Sequence, residues 1–327
     1  MVNASTSAKV AIIGGGVAGM ACALWLKHLG YTPVIIEQHP QLGGQLRDLH
    51  RVNRWVLGMP DKTGAELAAL YAAHIRQETI DIIYSAQLLA LTAAAHGFTA
   101  TVRQADQPYT LNFCAIVIAT GVRTLGLEVF APLPGFAAAA GLISSFPFDH
   151  LLPPDALAGK TVAVIGGGDN AYLTAQDAAQ AGAYVQLVVR TVPKARAAVR
   201  QAVQKYINLG QIQERTHTQV TAFHSHPNGV TLALSQGGSI TVARIFARLG
   251  FTANTDSLAG LSALDGLATE HGYIQTDAAQ RTNLPWVYAI GDVANARHKS
   301  VVNAIAEGAK AAQDLSERGQ DHDKQSQ

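Results

Sequence analysis

Two stretches of the chain share one pattern of apolar and polar positions. Lys9 to Gln38, KVAIIGGGVAGMACALWLKHLGYTPVIIEQ, opens with a short continuous apolar run and turns through Gly14, Gly16 and Gly19. It continues with apolar residues at helical spacing to Gly30 and ends in a second apolar run closed by Glu37. A continuous apolar run of this length predicts a strand buried on both faces, so the stretch predicts a complete βαβ unit. Lys160 to Thr191, KTVAVIGGGDNAYLTAQDAAQAGAYVQLVVRT, repeats it with Gly166, Gly168 and Ala171, a helix stopping near Gly182 and a strand ending at Arg190.

Between the two units, Thr63 and Glu66 form a capping-box pattern, and Leu67, Leu70, Tyr71, His74 and Ile75 fall on one predicted helical face, His74 as a packed or rim residue. Strands are predicted at Ile80–Tyr84, Thr99–Arg103 and within Ala115–Gly121, AIVIATG. After the second unit, Val230–Ser235 and Ile240–Phe246 read as strands joined through a Gly237-Gly238 turn. The exit ARIFARLGFTANT (Ala243–Thr255) mirrors the earlier AIVIATG exit, which suggests that the second unit is inserted in the first. A strand and a Gly291-Asp292 turn follow, then a helix from about Ser300. The expected fold is α/β, with two Rossmann-like three-layer domains: residues 1–122 and 246–317 form one, 123–245 the inserted other, and 318–327 a flexible polar tail.

Composition narrows the function. Length 327 suits two domains, each with its own core. The 24 Lys and Arg nearly balance 23 Asp and Glu, so no overall field draws the chain to nucleic acid or an acidic membrane surface. No apolar run reaches the length of a membrane span and the first residues lack a signal-peptide pattern, so a cytoplasmic protein is expected. The two cysteines, Cys22 and Cys114, are too few for a disulfide scaffold or a zinc site, and no metal is expected.

The chemistry sits in the turns. In a βαβ unit the first glycine makes the tight turn (Gly14), the second lets backbone approach a pyrophosphate (Gly16), and the third brings helix and strand together (Gly19). An acid at the tip of the second strand, Glu37, accepts hydrogen bonds from ribose hydroxyls. In the second unit the acid is replaced by a base. Arg190, with Lys194 and Arg196 close behind, can pair with a 2′-phosphate, so this unit prefers NADPH to NADH; an ordinary strand-end arginine is the competing reading. Two nucleotide sites in one chain imply two redox cofactors with an electron path between them.

Together these residues resemble the thioredoxin-reductase-like flavoproteins over nearly the whole chain: GGGVAG with Glu37, GGQL at Gly43–Leu46, IATG at Ile118–Gly121, GGGDNA, GFTANT, and YAIGDV at Tyr288–Val293. The resemblance implies FAD on the interrupted domain, held by Gly14, Gly16, Gly19, Glu37, Gly44, Gln45, Leu46, Thr120, Gly121, Gly291, Asp292, Ser300 and Val301. It implies NADPH on the inserted one, held by Gly166, Gly168, Asp169, Asn170, Ala171, Arg190 and Arg196, and a homodimer. Asp292 would accept from a ribityl hydroxyl or stand as an ordinary helix-start acid, and the helix behind it would stabilise negative charge on a reduced flavin.

The chain departs from that family where a Cys-x-x-Cys should precede the second Gly-rich strand. Here Gly141–His150 reads GLISSFPFDH, with Ser144, Ser145 and Pro147. The branch without the dithiol resembles ferredoxin:NADP(H) reductases of thioredoxin-reductase type, whose flavin exchanges electrons directly with ferredoxin or flavodoxin. There an aromatic beyond GGQL stacks on the flavin, and this chain places His50 in that position, as stacking group or plain loop residue. Thr191 stands where that family shows a second Arg, and Arg47, Arg51, Arg54, Arg297 and Lys299 would steer an acidic partner or are scattered solvated charges. Two alternatives stay open: a flavin-dependent disulfide or thiol reductase using Cys22 or Cys114, fed by ferredoxin and not NADPH, and a module whose second site senses a nucleotide without reacting.

Overall fold

The computed structural model describes residues 8–145 and 156–325, with side chains as far as residue 320. Ser144 and Ser145 fall among them; Pro147 lies outside the described residues. The chain divides into two compact units, one of residues up to Val122 and from Ala253 onward, the other of Arg123–Thr252.

The first unit starts with β1 (Lys9–Ile13), α1 (Val17–His28), β2 (Thr32–Ile36), α2 (Gly64–Gln77), β3 (Asp81–Ile83), β4 (Ala86–Ala94), β5 (Gly97–Gln104), β6 (Gln107–Phe113) and β7 (Ala115–Ile118). β8 (Val122–Thr124) leads out of it. The second unit contains α3 (Phe136–Ala139), β9 (Ile143–Ser144), β10 (Thr161–Ile165), α4 (Asp169–Gln180), β11 (Tyr184–Val188), α5 (Ala197–Asn208), β12 (Ile212–Arg215), β13 (Val220–His226), β14 (Gly229–Leu234), β15 (Ser239–Val242) and β16 (Arg244–Ala247). β17 (Phe251–Ala253) leads back to β18 (Thr269–Glu270), β19 (Tyr273–Ile274), β20 (Val287–Ala289) and α6 (Val301–Gln325).

Each unit has a five-stranded parallel sheet, ordered β20-β7-β1-β2-β3 in the first and β12-β11-β10-β16-β9 in the second. Continuous apolar strands work here because successive side chains leave opposite faces of a sheet covered on both sides. Val10 and Ile12 enter a core with Met20 and Leu26 of α1, Ile75 of α2 and Leu315 of α6. Ala11 and Ile13 enter the opposite core, with Leu91, Phe98 and Val102 of the antiparallel β4-β5-β6 meander. The second unit repeats this. Val162 and Val164 meet α4 and α5, whereas Ala163 and Ile165 meet the β13-β14-β15 meander. Both units are therefore three-layered, with one outer layer a β-meander.

Four expectations need correction. The second unit does not close at residue 245, because β16 lies between β10 and β9 in its sheet; it closes at Thr252. Ile240–Phe246 is two strands, β15 in the meander and β16 in the parallel sheet. On α2 the capping box forms, with the Thr63 N–H donating to Glu66 Oε2 at 2.8 Å and the Glu66 N–H to Thr63 Oγ1 at 3.2 Å. Its buried face, however, is Gly64, Leu67, Ala68, Ala72 and Ile75; Leu70 is 45% exposed, and the exposed His74 faces Glu78 at 3.9 Å. The tail expected from residue 318 continues α6 to Gln325, and Arg318 supplies a reason: its guanidinium lies 4.5 Å from the Trp286 ring centre and donates to Tyr288 Oη at 3.1 Å.

Candidate nucleotide-binding sites

The first Gly-rich turn joins β1 to α1, and each glycine there meets a different constraint. Gly14 has φ +110°, and a Cβ on it would stand 2.5 Å from the Ala119 carbonyl oxygen and 3.3 Å from Thr120 Cα. A Cβ on Gly19 would stand 2.1 Å from the Gly14 carbonyl oxygen, so this glycine allows the helix to close on its own turn. Around Gly16 there is room, because the nearest neighbour of an added Cβ would be Gly44 Cα at 4.0 Å. Gly16 also begins α1 with extended backbone, no side-chain cap and no acid in the first turn. The helix thus keeps its orphan N–H donors and the positive end of its dipole for an anion.

Glu37, 5% exposed at the end of β2, already has occupants. Its Oε2 accepts from the Gly15 N–H at 2.6 Å and its Oε1 from the His39 N–H at 2.8 Å. A carboxylate has about four acceptor sites, so capacity for a ribose hydroxyl remains, but the group is first a clamp on the turn.

The Gly43 N–H donates to the Gly15 carbonyl at 2.9 Å, which places the short helical turn Gly44–Asp48 beside the Gly-rich loop. In that turn Gln45 donates to the Val122 carbonyl and Leu46 is half-buried; His50, beyond it, is exposed. Thr120 and Gly121 are clasped by one residue: Thr120 Oγ1 donates to the Asn254 carbonyl at 2.8 Å, Asn254 Nδ2 to the Thr120 carbonyl at 2.9 Å, and the Asn254 N–H to the Gly121 carbonyl at 2.9 Å.

Gly291, φ +72°, packs against the first turn of α1, where its Cβ would stand 2.7 Å from Ala18 Cβ. Glu307 holds that turn, accepting from the Gly291 N–H at 2.6 Å and Asn295 Nδ2 at 2.9 Å. Burial pushes the neighbouring Asp292 carboxyl up to about 6, with Lys299 opposing the rise and Glu307 adding to it. Ser300 caps α6, its Oγ accepting from the Asn303 N–H at 3.1 Å, and Val301 begins the helix. The structure therefore gathers Gly14, Gly16, Gly44, Thr120 and the Gly291 turn around the start of α1.

The second turn has a similar frame and different contents. Gly166 has φ +148°, and its Cβ would stand 2.2 Å from the Arg248 carbonyl oxygen. An added Cβ on Gly168 would meet nothing within 4 Å. Ala171 is fully buried and packs toward Gly166, so it serves helix–strand contact. Asn170 is half-buried on the first turn of α4. Asp169, first in that helix, accepts from the Arg196 N–H at 2.8 Å and from Arg196 Nε at 2.5 Å. Arg196 is thus tied to a carboxylate at the helix start, and a phosphate contact by it would be made in the presence of that pair. Arg190 is exposed and makes no ion pair among the described residues. The Gly167 carbonyl accepts from the Lys194 N–H at 2.7 Å and the Ala195 N–H at 3.0 Å, wrapping residues 192–196 around the turn.

Sequence reasoning missed four supports. At Gly15 an added Cβ would come 2.4 Å from Leu42 Cδ2 and 2.9 Å from Glu37 Oε2, so a side chain there would push both groups aside. Asn254 stands in GFTANT and Glu307 in the helix predicted from about Ser300, but a polar residue's place in a pattern does not show which backbone groups it serves. Gly308 lets α6 approach α1, since its Cβ would stand 2.7 Å from the Ala18 carbonyl oxygen; a glycine inside a helical pattern was the available signal. Of the cysteines, Cys22 is fully buried in α1 and burial drives its thiol far up, and Cys114 is half-buried and raised for the same reason.

The family model described as pyridine nucleotide-disulphide oxidoreductase matches residues 8–308. One subunit of the alkyl hydroperoxide reductase of Pseudomonas putida is 29% identical over 315 residues, 95% of this chain and 58% of that protein, so the chain spans little more than half of such relatives. The ferredoxin–NADP reductase of Limosilactobacillus fermentum is 31% identical over 298 residues, 86% of this chain and 84% of that protein. The crystal structure of T. acidophilum thioredoxin reductase superposes with a TM-score of 0.80 at 23% identity, covering 96% of this chain and 99% of that one, which is a likeness of fold.

Proposed function

We propose, because this chain belongs to the pyridine nucleotide-disulphide oxidoreductase family, that it is an NADPH-linked FAD reductase serving a small redox protein of the ferredoxin or flavodoxin kind. The family works with FAD and NAD(P)H. The observation that carries the reading is the combination of two Gly-rich helix starts, one in each unit, with no usable dithiol: the chain has two cysteines, and the Cys22 thiol is buried and protonated.

The first cradle fits a dinucleotide because Gly16 and Gly44 leave backbone exposed beside uncapped N–H groups. There the start of α1 would bind the pyrophosphate of FAD, Glu37 a ribose, and Asp292 with the start of α6 the flavin end. The second fits less fully. The start of α4 is open at Gly168, and Arg190 is available for a 2′-phosphate, but Asp169 brings a negative charge to the helix start that Arg196 neutralises. FAD held in the first cradle would supply the redox chemistry that links a two-electron donor, NADPH, to a one-electron partner. The protein's contribution is to hold, orient and exclude water; no side chain is required as acid or base. A homodimer belongs to the same reading. The disulfide-reductase alternative needs Cys22 or Cys114 as thiolate, and burial opposes both.

Anaerobic absorbance of the FAD-loaded protein during titration with NADPH, with NADH in parallel, tests the reading. Bleaching of the flavin band by NADPH, with NADH at least about tenfold less effective, is the expected result. A flavin that dithionite bleaches and neither nucleotide does would overturn it.

A further inference from the structure

Neither nucleotide site explains the segment between the Gly43–Leu46 turn and α2. It is a hydrogen-bonded loop: the Asn53 N–H donates to the Lys62 carbonyl at 2.7 Å, the Gly64 N–H to the Arg51 carbonyl at 3.2 Å, and Val52 forms a β-bridge with Thr63. Inside it, the Trp55 N–H donates to Asn53 Oδ1 at 3.1 Å and the Met59 N–H to the Val56 carbonyl at 3.1 Å. A loop closed in this way could tuck its apolar residues inward, yet Val52 is 48%, Trp55 72% and Leu57 100% exposed. Large apolar groups grouped on an exposed loop, with tryptophan among them, are the composition of a binding surface.

Charge narrows the occupant. From Leu49 to Pro60 the chain has Arg51 and Arg54 and no acid. The acids that bracket the stretch face cations of their own, Asp48 with Arg47 at 3.6 Å and Asp61 with Lys62 at 3.8 Å. A second copy related by a two-fold axis would set this positive loop against itself, whereas an acidic surface would complement it. The loop follows Leu46 within six residues, and Gly44 of the same turn abuts Gly16, so an occupant would sit beside the first cradle.

We propose that the Val52–Met59 loop is the docking element for a small acidic electron-transfer protein, with Trp55 and Leu57 as apolar anchors and Arg51 and Arg54 as the charged rim. This rests on the reductase reading and names the surface its partner uses.

The test measures binding of an acidic [2Fe–2S] ferredoxin, and separately of a flavodoxin, to the FAD-loaded protein by calorimetry without NADPH. The ferredoxin KM and NADPH-dependent ferricyanide reduction are followed alongside. In the double variant Trp55→Ala/Leu57→Ser, Kd and KM for one of these proteins should rise about 30-fold or more, with ferricyanide reduction unchanged. In Arg51→Glu/Arg54→Glu, affinity should fall and lose its dependence on salt. Unchanged affinity in both variants, or no binding of either protein by the parent, overturns the proposal. So does an apolar variant that only halves the solution mass, which would make a second copy the occupant, or a parent that binds only anionic phospholipid vesicles. If NADPH fails to bleach the flavin the reductase reading falls, while the calorimetry still judges the loop.

Discussion

At Glu37 the carboxylate supports the protein before any ligand arrives, because two backbone N–H groups depend on it. Glu37→Ala would leave the buried Gly15 donor unsatisfied and should cost about 2 kcal/mol in urea denaturation, with Glu37→Gln costing less because one acceptor remains. Asp292 presents the opposite case. With its folded carboxyl at about 6 against an ordinary 3.8, the folded state holds the proton more tightly than the unfolded chain. Its contribution is present below pH 4 and lost as pH rises through 6. Asp292→Asn should therefore gain about 2 kcal/mol relative to the parent between pH 4 and pH 7.5, read from denaturation of the FAD-free protein at both values. Arg190 and Lys194, both exposed and free of ion pairs among the described residues, are the cations available for the proposed 2′-phosphate discrimination. Arg190→Ala should raise the KM for NADPH about tenfold and leave that for NADH in place, whereas loss with both nucleotides would assign discrimination elsewhere.

Elements are fixed by a few groups at their ends. The capping box at Thr63 was legible because its two partners are three residues apart and bond locally. Thr63→Ala should destabilise by about 1 kcal/mol, seen as a lower midpoint of unfolding. Which face of α2 is buried was not legible, because Leu67, Tyr71 and Ile75 suit a stripe on either side, and packing chose Ala68 and Ala72 over Leu70 and His74. The β4-β5-β6 meander was only partly legible. β6, QPYTLNF, is mostly exposed and so lacks strict apolar alternation, while β4, AQLLALTAA, is apolar at nearly every position. Midway along α6, burial would raise the Asp314 carboxyl, but hydrogen bonds from Arg281 and Tyr288 outweigh it and hold it below its ordinary value. That contribution is present above the ordinary carboxylate range and lost as pH falls. Asp314→Asn should therefore be less stable at neutral pH and less sensitive to acid, by denaturation at pH 7 and pH 3.

Over the whole molecule, two units each close a core around their own parallel sheet, so each cradle has its own support. Hydrogen exchange of the protein with FAD alone should slow amides in residues 14–20 and 291–301 and spare 166–172; NADP⁺ should slow the latter set. Protection of both sets by FAD alone would contradict separate sites. The chain's own pattern determined the two βαβ units, their glycines, the capping box and the lack of a Cys-x-x-Cys, because these depend on neighbours within about twenty residues. Only the tertiary structure decided that Asp169 engages Arg196, that Asn254 clasps Thr120, that Glu307 holds Gly291 and that β16 belongs to the second sheet. The reason is physical: a polar side chain can satisfy any donor or acceptor within reach, and which one lies within reach is set by packing between residues distant in sequence.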